Sequence, residues 1–81
     1  MAFIEKALLI GRVQYLEKIN SKPGLPRIDK RITEKVIDMI EAGYLITFLQ
    51  VEAVFNHLLE SANSTAEEIE ESAIDILDFI S

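Results

Sequence analysis

The apolar residues of this chain recur at intervals of three and four, a spacing that predicts helices over most of its length. From Phe3 to Ile19, the residues Ile4, Leu8, Leu9, Val13, Leu16 and Ile19 keep this rhythm, with Glu, Lys, Arg and Gln in many of the gaps. A first helix is expected there. Gly11 is its weak point. Glycine inside a helix costs about 1 kcal/mol relative to alanine, so it signals either a close backbone approach or a different element. The run from Asn20 to Pro26 contains Pro23, Gly24 and Pro26, cannot continue a helix and favours a turn. With Lys22, Arg27, Lys30 and Arg31 it makes a basic Pro/Gly loop over about residues 20–31.

The second helix is expected to start with Thr33 as its N-cap, placing Glu34 at the positive end of the helix dipole. Ile32 and Ile37 then fall at the two positions of a hydrophobic staple, and Val36, Ile37, Met39 and Ile40 supply the apolar face. Gly43 either ends this helix in a left-handed conformation or is absorbed into one long helix running to Ser61.

Tyr44 to Ala62 is the most hydrophobic part of the chain, and a helical reading gathers Tyr44, Phe48, Val51, Phe55, Leu58, Leu59 and Ala62 along one seam. Leu45, Ile46, Leu49 and Val54 lie outside the seam. A helix apolar nearly all round is expected at the centre of a bundle, contacted from several sides. A rival strand over Tyr44 to Leu49 has suitable β-forming residues, but the continuation to Ser61 favours the helix.

Asn63-Ser64-Thr65 opens a last helix, with Ser64 and Glu67, or Thr65 and Glu68, at capping-box spacing. Its expected buried side is Ile69, Ala73, Ile76, Leu77 and Ile80, while Glu67, Glu68, Glu71, Asp75 and Asp78 point to solvent and Ile74 and Phe79 flank the core stripe. The fold class is therefore all-α, a small bundle of three or four helices.

One stretch allows another reading. Leu8-Leu9-Ile10-Gly11-Arg12-Val13 resembles, over six residues, the opening strand of single-stranded-DNA-binding OB-fold proteins. The further strands and aromatic platforms which that resemblance implies have no counterpart downstream.

At 81 residues there is room for one core, and 49% hydrophobic residues suffice to build it, so a single folded domain is expected. Such a small core gains from a staple or a second subunit. The chain has no cysteine, so a disulfide cannot serve, and self-association is the expected remedy. The candidate self-association residues are Tyr44, Leu45, Phe48, Leu49 and Phe55, in an apolar stretch with too few expected neighbours in one chain of this length. The same lack of cysteine removes thiolate and Cys-metal chemistry and fits a cytoplasmic protein. No secretion signal and no membrane-spanning run is read from the sequence, so Asn63-Ser64-Thr65 is taken as helix-start chemistry and not as a glycosylation site.

The net charge of -6 is unevenly distributed. Through Arg31 there are seven basic residues and three acids; from Ile32 onward Lys35 faces eleven acids. A field that acidic repels phosphates, which argues against nucleic acid as a partner. It suits a helical domain whose basic first part packs beside its own acidic remainder or beside that of a sister subunit in a homo-oligomer, or an acidic face (Glu67, Glu68, Glu71, Asp75 and Asp78) that meets a protein with a basic surface.

Catalytic chemistry finds little support. The chain has no Gly-rich phosphate loop, no G-x-S-x-G elbow and no H-E-x-x-H pair. His57 and Glu60 are at helical spacing for a shared metal or proton, yet two ligands do not make a site and no Glu-x-x-His motif joins them. No enzyme, cofactor or metal is expected. The function expected is a non-catalytic protein–protein interaction module that self-associates. The alternative is an acidic inhibitor or immunity-type protein that fills a basic groove on an enzyme or nucleic-acid-binding protein.

Overall fold

The structure is a computed structural model and describes residues 5–21, 30–60 and 65–80. Among them four helices form, α1 (Lys6–Asn20), α2 (Lys30–Glu41), α3 (Phe48–Leu59) and α4 (Ala66–Ile80), and no strand. The segments Leu8 to Val13 and Tyr44 to Leu49 are thus not strands. The Pro/Gly part of the basic loop, residues 22–29, lies outside the described residues.

On α1, Leu9, Val13 and Leu16 are buried at spacings of four and three. Leu8 and Ile19, expected in the same stripe, are exposed. Each residue turns about 100° round a helix, so Leu8 and Ile19 stand roughly a quarter-turn away from the residues that found neighbours. Gly11 permits no close approach: a side chain added there would meet nothing within 4 Å.

α2 begins at Lys30, so Thr33 is not its cap and Ile32 with Ile37 is not a staple across its start. The cause is packing. Ile32, Val36, Met39 and Ile40 form one continuous buried stripe, and burying Ile32 as its first member requires helical backbone before Thr33. Thr33 is buried as well, and its hydroxyl donates to the Glu17 carboxylate on α1.

Gly43 ends α2. With φ of 88° it occupies the left-handed region, the Gly43 amide donates to the Ile40 carbonyl at 3.1 Å, and the Tyr44 amide to the Met39 carbonyl at 2.9 Å. These two bonds are the Schellman pattern, which satisfies carbonyls that the helix end would otherwise leave unpaired. A continuous helix to Ser61 is therefore excluded, and Tyr44 to Thr47 is a connection. Leu45 drops from it into the core, fully buried.

α3 starts at Phe48 behind a capping box made by Thr47 and Gln50. Its buried residues are Val51, Val54, Phe55 and Leu58, so Val54 lies inside the seam while Phe48 and Leu59 sit at its edge. α3 packs against each of the other three helices, as expected of a central element. α1 and α2 are antiparallel: Lys6 Nζ donates to the Glu41 carbonyl at 3.0 Å at one end, and Glu17 meets Thr33 toward the other. α4 packs on α3 and less extensively on α2, and it does not touch α1. The buried side chains of all four helices join with Leu45 in one hydrophobic cluster.

Candidate interaction surface

The start of α4 follows from its sequence. The Glu68 amide donates to Thr65 Oγ1 at 3.2 Å, and Glu68 Oε1 accepts from the Thr65 amide at 3.2 Å. The second of the two capping boxes read from the sequence is thus the one formed; Ser64 lies outside the described residues. Downstream, the core side of α4 is incomplete. Ile69 and Ala73 are buried, but Ile76, Leu77 and Ile80 are only partly covered, Ile74 is 53% exposed and Phe79 is 85% exposed. Five large apolar residues therefore occupy the second half of α4 without one of them being fully buried.

On the flank that carries Ile74 and Leu77 lies a groove of about 480 Å³ between α2 and α4, whose apolar walls come from Met39, Tyr44, Ile74 and Leu77. Lys35 Nζ and Glu70 Oε1, 3.6 Å apart, form an ion pair on its rim, and Asp78 adds a second carboxylate. Tyr44 is 64% exposed, as it extends from the Schellman turn toward α4. A smaller recess of about 210 Å³ shares the ion pair and is lined mainly by polar residues.

Glu67, Glu68, Glu71, Asp75 and Asp78 are all exposed. The five candidate self-association residues separate. Leu45 and Phe55 are 1% and 0% exposed and belong to the protomer's own core, whereas Tyr44 and Leu49 are on the surface and Phe48 is half-buried. Ala62 lies outside the described residues. Phe48 is partly covered by the Arg12 guanidinium, which lies 5.0 Å from its ring centroid, 5.7 Å from that of Tyr15 and 3.6 Å from the Glu52 carboxylate.

A second exposed stripe was hidden in the sequence. Leu8, Tyr15 and Ile19 stand seven and four residues apart on α1, one above another on a single face, and all three are exposed. Because Leu8 and Ile19 share the helical rhythm of Leu9, Val13 and Leu16, the two stripes merge in a periodicity count. Two tyrosines and a phenylalanine, Tyr15, Tyr44 and Phe79, are thus among the exposed large apolar groups.

His57 is half-buried in the last turn of α3, and Glu60 is exposed at its end. Among the described residues no group of three or more His, Asp or Glu side chains could hold a metal ion. Nor is any described helix long and apolar enough to cross a membrane. Compared with known proteins, the chain matches no family model, no curated protein and no solved structure.

Proposed function

We propose that this protein is a non-catalytic protein–protein interaction module that self-associates, placed in the cytoplasm. The observation that carries the reading is the second half of α4, where Ile74 and Leu77 wall the Tyr44 groove on one flank of the core stripe and Phe79 is exposed on the other. Apolar surface rimmed by charge is what an association face requires, and the groove walls of Met39, Tyr44, Ile74 and Leu77 lie within the rim of Lys35, Glu70 and Asp78. The apolar residues of α3 do not supply that face, since Val51, Val54, Phe55 and Leu58 are covered within one chain. Sedimentation equilibrium of the full chain at micromolar concentration tests it. A dimer is expected; a monomer at all accessible concentrations would overturn the reading.

A second reading is supported by the exposure of Glu67, Glu68, Glu71, Asp75 and Asp78 on one helix. In it the protein is an acidic inhibitor that docks α4 into a basic groove of another protein. Such a protein would be monomeric alone, so the sedimentation measurement separates the two.

A further inference from the structure

If the protein self-associates, as proposed above, two surfaces compete to cover α4: the α4 of a second copy, or a different face of it. Charge decides between them. α4 carries six acids and no base, so pairing α4 with α4 would set like charges side by side across the contact. Of the four described helices, α1 alone has an excess of basic residues, Lys6, Arg12 and Lys18 against Glu17, while α2 is balanced and α3 carries Glu52. α1 also presents the exposed stripe Leu8, Tyr15 and Ile19, and it makes no contact with α4 inside the protomer. The two helices that pair exposed large apolar side chains with opposite charge are thus the two that do not meet within one chain.

We infer that α1 of one copy docks on α4 of a second copy, with Tyr15 set against Phe79 and the contact formed twice about a two-fold axis. The apolar stripe of α1 covers the flank of α4 that carries Phe79, and exposed Lys18 comes near the carboxylates of Glu71, Asp75 and Asp78. A two-fold arrangement closes the assembly at two chains, because each copy supplies both faces and each face is used once. Aromatic side chains near the middle of an interface carry a large share of its binding energy, which makes Tyr15 and Phe79 the positions to test.

The experiment uses two full-length variants, Tyr15→Lys and Phe79→Glu, studied by sedimentation equilibrium separately and in equimolar mixture. Both side chains are largely exposed in the protomer, so circular dichroism should show the helix content of each variant unchanged. In a two-fold pair each substitution strikes both contacts, and each variant alone should show a dissociation constant raised about tenfold or more. In the mixture one contact carries the new lysine opposite the new glutamate and the other is native, so dimers should return. Dimers as strong as the native ones for either variant alone would overturn the α1 to α4 pairing while leaving self-association intact. Failure of the mixture to restore association would overturn it too, as would a ladder of larger species in the native protein. A native protein that stays monomeric overturns self-association itself, and the pairing with it.

Discussion

Thr47 and Gln50 satisfy each other's backbone at the start of α3: the Gln50 amide donates to Thr47 Oγ1 at 3.1 Å, and Gln50 Oε1 accepts from the Thr47 amide at 3.2 Å. The same Gln50 oxygen accepts from the Ile46 amide at 2.9 Å, so one side chain ties down two residues of the connection that carries Leu45 into the core. Replacing Thr47 with alanine should cost about 1 kcal/mol, measured by urea denaturation, because an orphan amide of the first turn loses its acceptor. A loss near zero would show that water replaces the cap without penalty.

The two described glycines should respond to alanine with opposite signs. Gly43→Ala should destabilise by about 1 to 2 kcal/mol, since φ of 88° places a side chain in the left-handed region. Gly11→Ala should stabilise by about 0.5 to 1 kcal/mol, because Gly11 is helical, exposed and has nothing within 4 Å of the added methyl. Thermal melts of the two variants check both signs, and a shared sign would contradict one of the two backbone assignments.

Burial along α4 falls off toward its end, and core substitutions should follow it. Ile69→Ala should cost about 2 to 5 kcal/mol, as for other fully buried large-to-small changes. Ile76→Ala should cost less, because that side chain is only partly covered within one chain. Denaturation of both variants at a concentration where the protein is monomeric gives the comparison, and a larger loss at Ile76 would mean that α4 packs more deeply than the structure places it.

Helix identity was legible in the spacing of apolar residues, and so were the Thr65 and Glu68 cap and the exposure of the α4 acids. Helix limits were less so. Threonine before glutamate at Thr33 fits a cap, yet the need to bury Ile32 extends the helix back to Lys30. Gly43 and the Thr47-x-x-Gln50 spacing together mark a helix end and a new start, and the all-round apolar character of Tyr44 to Leu59 masked both signals. The same character made Leu45 and Phe55 look available for association. Period alone does not tell which of two apolar stripes on a helix will find neighbours, so Leu8 and Ile19 share the periodicity of the core without belonging to it.

Replacing Glu71 and Asp78 together with glutamine separates a charge that holds the fold from a charge that guides association. Both side chains are exposed, and exposed charges contribute on the order of 1 kcal/mol or less to stability, so the melting temperature should move little. Dimerisation should respond more clearly. If α4 meets the basic α1 of a second copy, removing two carboxylates weakens the dimer at low ionic strength. At high salt, screening already suppresses that attraction, so native and variant dissociation constants should converge. Sedimentation equilibrium at low and high salt gives four dissociation constants, and the expected pattern is a steep salt dependence for the native chain and a flatter one for the variant. The opposite pattern, a dimer that tightens at low salt once the carboxylates are gone, would mean that α4 faces other acids across the contact and that like-charge repulsion limits the native assembly.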